Sequence, residues 1–210
     1  MSPAVGIDFG TTNSAVAIAD GPGGVRVLPL PVPGGAAATT WRSILYFETG
    51  DAPGEVLVSV GAPAIQRYVE SGGQGRLVQS IKSHLASPLF SGTQALGRHY
   101  AVEELIAIFL RRLREAVGVE LGRSAVVGRP VRYWGATTAD DEARALARMR
   151  RALELAGFDE VTFEHEPVAA ARRYAAQSTT SSPGTRSNSR ALAVTSVAPR
   201  RRAWAAMRRS

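Results

Sequence analysis

The chain has 210 residues, 45% hydrophobic and 20% charged, which is enough for one or two domains with a buried core. It holds no cysteine, which excludes disulfides and thiolate metal sites and is compatible with a reducing cytoplasm, and no apolar run is long enough for a membrane-spanning helix. The net charge of +7 points toward nucleic acid until its distribution is read: residues 175–210 carry seven arginines and no acid, leaving 18 basic against 18 acidic side chains in residues 1–174. Neither a nucleic-acid nor a membrane partner is therefore expected.

Met1 to Ala4 leads into a strand with no basic stretch or cleavable apolar core, so no targeting segment is expected at this end. Val5, Ile7 and Phe9 alternate, as do Ala15, Ala17 and Ala19, and both runs read as buried strands. Gly10 to Ser14 joins them as a hairpin tip rich in donors and poor in bulk. Such a tip can cradle phosphate on its backbone N–H groups, with the hydroxyls of Thr11 and Thr12 as further donors and Asp8 as a carboxylate suited to hydrated Mg2+. The same composition also fits a tight turn capped by Asp8. It is not the lysine-containing loop that precedes a helix, because no lysine follows and a strand comes next.

"VRVLPL" (Val25 to Leu30) reads as a third strand, followed by a Pro/Gly/Ala connector. "SILYFE" and "EVLVSVG" read as a strand pair across the turn formers Gly50, Asp51, Pro53 and Gly54. A helix is expected from about Ala62 to the glycines of "SGGQGR", then a short, partly helical stretch, "LVQSIKSHLASPLF", interrupted by Pro88. Val102, Leu105, Ile106, Phe109, Leu110, Leu113 and Val117 recur at steps of three and four and predict a helix closed by Gly118. "SAVVGRPVRYW" reads as a strand bending at Gly128 and Pro130, and "TTADDEARALARMRRALELAG" as a helix with a threonine cap, an acidic first turn and Gly157 at its end. "EVTFEHEP" is a short strand, and a last helix begins behind Pro167. The order predicts an α/β fold with an insertion.

"GIDFGTTNSAVAI" resembles the first phosphate loop of the actin, hexokinase and heat-shock ATPase superfamily. With "AVVGRPVRYWG" and "LELAGFDEVTFEHEPVAAA" in that order, the chain from about Ala4 to Tyr174 resembles DnaK-type heat shock protein 70 chaperones, and within them the YegD-like branch. The resemblance implies an actin-like ATPase (ribonuclease H-like) lobe, a mixed sheet flanked by helices with an inserted small α+β subdomain. The expected organisation is a lobe over residues 1–174, with its core at 1–40 and 120–174 and the insertion at 41–119. The resemblance also implies ATP and Mg2+ as cofactors, a cytoplasmic location, and unfolded-polypeptide clients if a full-length protein exists.

Carried over residue by residue, Asp8 matches the acid that holds Mg2+ through water, and Gly10, Thr11, Thr12 and Asn13 match the phosphate-contacting loop. Lys82 matches a lysine near the γ-phosphate and the attacking water; it is the only lysine here, against twenty-four arginines. Glu166 matches an acid of the metal and water shell, though an acid ahead of a helix N-terminus is also favourable in its own right. Pro130 matches a proline of the interdomain switch, where a plain strand end is the alternative. His84, His99 and His165 lack ligand spacing, and no metal role is expected of them.

The family pattern breaks off after Tyr174. The second phosphate loop, the adenosine motif and the peptide-binding domain do not follow, and the basic Ser/Arg-rich stretch 175–210 has the composition of a disordered tail. A shifted reading frame across Ala193 to Pro199 can encode Gly-Asp-Phe-Gly-Gly, which resembles the missing loop, so a frameshift between about Tyr174 and Ala193 is expected. Three functions follow from the sequence: a DnaK-like ATPase lobe, a truncated fragment with little nucleotide affinity, or another actin-like ATPase or sugar kinase sharing the first loop.

Overall fold

The computed structural model describes residues 4–20 and 24–166. The expected last helix behind Pro167 and the basic stretch 175–210 lie outside the described residues. Strands β1 (Ala4–Phe9) and β2 (Asn13–Asp20) form the expected hairpin, paired antiparallel from Ala4↔Ala19 to Phe9↔Ser14. The third expected strand is split into β3 (Gly24–Val27), which pairs with β2, and β4 (Leu30–Pro31), which pairs with β5 (Ala37–Ala38). Pro29 lies at the break, and without an N–H it cannot donate to the ladder that β3 makes with β2. The connector is also more ordered than its composition implies, because β6 (Trp41–Arg42) returns to pair with β2.

β7 (Ile44–Thr49) and β8 (Val56–Val60) pair antiparallel as expected, and α1 (Gly61–Glu70) follows. The stretch expected to be partly helical instead opens with β9 (Arg76–Gln79), antiparallel to β7, before a short 3₁₀ turn over Ile81–His84. A hairpin of β10 (Gly92–Ala95) and β11 (Arg98–Ala101) leads into α2 (Val102–Ala116). α2 buries Val102, Leu105, Ile106, Phe109, Leu110 and Leu113, the stripe its spacing predicts. The carboxylate of Glu104 accepts the Ala101 N–H at 2.8 Å and so satisfies one donor at its start.

β12 (Ser124–Arg129), α3 (Ala139–Leu155) and β13 (Glu160–His165) complete the fold. α3 begins with a capping box: Thr138 Oγ1 accepts the Asp141 N–H at 3.2 Å, while Asp141 Oδ2 accepts the Thr138 N–H at 3.0 Å. β1, β12 and β13 are parallel neighbours, whereas β2 and β3 add antiparallel, so the principal sheet is mixed in the order β13-β12-β1-β2-β3.

The strand period divides this sheet into two unlike faces. Val5, Ile7, Phe9, Val16, Ile18 and Val127 face a large core shared with α2, α3 and the β7 sheet. Ala15, Ala17, Ala19 and Val126 form a thin opposite face of small side chains. The large core runs without a break from Phe9 and Phe109, whose ring centroids lie 5.6 Å apart, to Leu153 and Phe158. At roughly 2–3 kcal/mol for each buried large apolar side chain, this face supplies most of the drive to fold.

Candidate functional site

Asp8, Pro130 and Glu166 all fall at the carboxyl ends of three adjacent parallel strands, the edge at which open α/β sheets bind ligands. The tip between β1 and β2 is a closed turn in which the Gly10 N–H donates to the Asn13 carbonyl at 3.0 Å. A Cβ on Gly10 would lie 2.3 Å from that carbonyl oxygen, so only glycine fits. Thr12 turns its carbonyl inward to the Ser43 N–H at 2.8 Å, and Ser14 Oγ shares a 2.8 Å hydrogen bond with Ser43 Oγ. The inner side of the tip is thus anchored while Thr11, Thr12 and Asn13 remain exposed. Asp8 sits on the small-residue face opposite Ala15, half-buried, with its Oδ1 enclosed.

Lys82 comes from the 3₁₀ turn, 84 residues before Glu166 in the chain, yet its Nζ lies 3.3 Å from Glu166 Oε1. Lys82 is only 8% exposed, although the bland expectation for a lysine on a short helix is a solvated ammonium. Ser80 just before the turn adopts φ 57°, an uncommon left-handed conformation for a side-chain-bearing residue. Its carbonyl accepts both the Ser83 N–H, at 3.1 Å, and Ser83 Oγ, at 2.5 Å.

Beside this pair lie Arg129 and His165. Arg129 pairs with His165 in the β12–β13 register, and its guanidinium donates to His165 Nε2 at 2.8 Å. Guanidinium has no acceptor, so Nε2 accepts and the proton of the neutral ring resides on Nδ1, which is buried without a hydrogen-bond partner among the described residues. Tyr133 is buried nearby, and its phenol is pushed up to about 12, first by burial, then by the Glu142 and Glu166 carboxylates against the opposing Arg129 charge. It therefore stays neutral through the physiological range.

Glu164 is a second functional candidate that spacing concealed. One step beyond the Ile7↔Val127 pair brings Asp8 level with Gly128, and Gly128 pairs with Glu164. The two acids thus share one face across a glycine, about 10 Å apart at two ladder spacings. Glu164 is 7% exposed. The signal was present in "EVTFEHE", where Val161, Phe163 and His165 alternate with Thr162 and Glu164.

Among the described residues no group of three His, Asp or Glu side chains could hold a metal ion. The donor set instead fits a metal that keeps its waters: one enclosed carboxylate beside an exposed hydroxyl-rich turn, with a carboxylate and an ammonium at the neighbouring strand end. No helix among the described residues is long and apolar enough to cross a membrane.

No family model matches the chain. It is 30% identical over 174 residues to the chaperone protein DnaK of Thermosipho melanesiensis, an alignment covering 81% of this chain and 26% of that protein. The chain therefore spans about a quarter of the length of the curated relative it matches. Among solved structures, a non-polymerising mutant of MamK bound to AMPPNP superposes with a TM-score of 0.45 at 15% identity, covering 80% of this chain and 42% of that one. Over 81% of its length the chain is a distant homologue of the DnaK-type heat shock protein 70 chaperones, with the mixed sheet and flanking helices expected of their ATPase lobe.

Proposed function

We propose that the chain is a nucleotide-binding lobe of DnaK type that engages Mg-ATP at the carboxyl ends of β1, β12 and β13. The observation that carries this reading is the meeting of Lys82 and Glu166 across 84 residues, at the strand end beside the Asp8 hairpin. In this reading Gly10, Thr11, Thr12 and Asn13 bind phosphate oxygens, Asp8 orients the water shell of Mg2+, and Glu166 belongs to the same shell. Bound Mg-ATP would supply a phosphoryl group open to in-line attack by water. Lys82 holds positive charge beside that group, and Pro130 links the pocket to the domain interface. In this reading the lobe covers residues 1–174, with its core at 1–40 and 120–174 and the insertion at 41–119, and the protein works in the cytoplasm. In a longer protein the nucleotide state would control binding of unfolded polypeptide.

Titration calorimetry with Mg-ATP tests this reading. Micromolar binding that Asp8→Ala abolishes supports it, whereas no binding, or binding indifferent to Asp8→Ala, overturns it and favours a chain with little nucleotide affinity.

A further inference from the structure

The carbonyls that follow Lys82 are held by one helix. Arg148 Nη1, on α3, lies 2.9 Å from the Ser87 carbonyl, 3.2 Å from that of Leu85 and 3.3 Å from that of His84. One turn earlier, Arg144 Nη1 donates to the Ala86 carbonyl at 3.0 Å. Four consecutive carbonyls at the end of the 3₁₀ turn therefore converge on two guanidiniums, and that of His84 also accepts a backbone bond, from the Ser87 N–H at 3.2 Å. The fork is itself held: Glu103 on α2 stands 3.6 Å from Arg148 Nε, and Asp141 accepts from Arg144 at 2.8 Å. With a side chain only 14% exposed, Arg148 is enclosed by the elements it joins.

We infer that Arg148, assisted by Arg144, is the positioning residue for Lys82. This rests on the reading of Lys82 as the phosphate-facing ammonium. α3 connects β12, which ends beside Pro130, to β13, which ends beside Glu166, so the clamp ties the Lys82 turn to the helix linking those two points. Lys82 is then held on two sides, the stretch that follows it by α3 and its ammonium by Glu166. A lysine in place of Arg148 would keep the charge but could not present one nitrogen to the carbonyls and a second to Glu103.

Because Lys82 is the only lysine, its ammonium can be followed alone. The test is the rate of reductive methylation of Lys82 in the full chain without nucleotide, read by mass spectrometry against the α-amino group. Arg148→Met is expected to raise that rate about tenfold through easier local opening, and Arg148→Lys about threefold. Arg151→Met, on the same helix at an exposed pair with Glu154, is the control and should leave it unchanged. If Arg148→Met does not fold, the comparison of Arg148→Lys with Arg151→Met decides alone. Equal rates in the Arg148 variants and the control would overturn the inference. Protection of Lys82 by Mg-ATP in the unsubstituted chain reads the nucleotide proposal separately, so the two can fail independently.

Discussion

The two turns that make up the candidate site are held in opposite ways. The Gly10 tip closes on itself, Gly10 N–H to Asn13 carbonyl, and is anchored by Ser43 next to β6, which is in the same sheet. The Lys82 turn has local bonds as well, from Ser83 to the Ser80 carbonyl and from the Leu85 N–H to the Lys82 carbonyl, but these do not hold its ammonium or fix its far end against the core. Its ends are fixed by Arg144 and Arg148 from α3 and by Glu166 from beyond β13, residues more than fifty positions away. A loop with local closure is formed as soon as its hairpin is, whereas one held by remote side chains is formed only when the whole core is assembled. The Gly10 half is therefore expected to persist under perturbations that release the lysine half.

The largest effect should come from attacking the self-closed turn. Gly10→Ala places a methyl group 2.3 Å from the Asn13 carbonyl and must open the tip, at a cost of about 2–3 kcal/mol. Urea denaturation reads this as a lower midpoint, and Mg-ATP calorimetry should lose its signal. Lys82 methylation in the still-folded variant should not change, and a parallel rise there would break the distinction between the turns.

Next in size is the pair itself. Lys82→Met removes the cation beside Glu166 at 3.3 Å; since the Glu166 side chain is 22% exposed, water offsets part of the loss and about 1–2 kcal/mol is expected. Glu166→Gln should cost a similar amount, and the double variant less than the sum. Additivity in urea denaturation would mean that the two side chains are not coupled.

Most of the frame was legible because it is local. The 3.6-residue stripe of α2, the cap and acidic first turn of α3, and the β1–β2 hairpin each announce themselves within a few residues. What escaped depended on distant partners. β9 has four residues and exists because β7 offers an edge in the register Ile44↔Gln79 to Phe47↔Arg76. The β10–β11 hairpin turns at Leu96, a residue at φ 49° that gives no turn signal, ahead of Gly97. At the site, "GTTNS" was visible as a donor-rich tip. The burial of Lys82, the Arg129–His165 bond and the arginine clamp were not, because each joins segments that the sequence separates by at least 36 residues.

Weakening α3 at its start sharpens the comparison further. Thr138→Ala removes the hydroxyl that accepts the Asp141 N–H and should cost about 1 kcal/mol. Arg144 is one turn inside this end, so the loss should appear as faster amide exchange in residues 81–87 and not at Thr11 to Ser14. Equal acceleration in both segments would show that the cap serves only global stability.

The smallest effect is the pH dependence of that cap. Asp141 is held well below the usual carboxylate range, first by the Arg144 guanidinium and then by hydrogen bonds from Thr137 and Thr138. A depressed pKa in the folded chain means that the unfolded chain takes up the proton more readily, so stability falls with pH. The contribution is complete above about pH 5 and is lost as pH drops through roughly 3.9, the ordinary aspartate value, toward the lower folded one. Protonation would deprive Arg144 of its carboxylate and weaken its hold on Ala86, so acid should loosen the Lys82 turn before the Gly10 tip. Urea midpoints between pH 5 and pH 3 should fall less steeply in Asp141→Asn than in the parent chain. Asp159, also depressed by its Arg123 partner, titrates in both chains and cancels in the difference. Parallel slopes would remove Asp141 from the acid response and leave α3 clamped by its arginines alone.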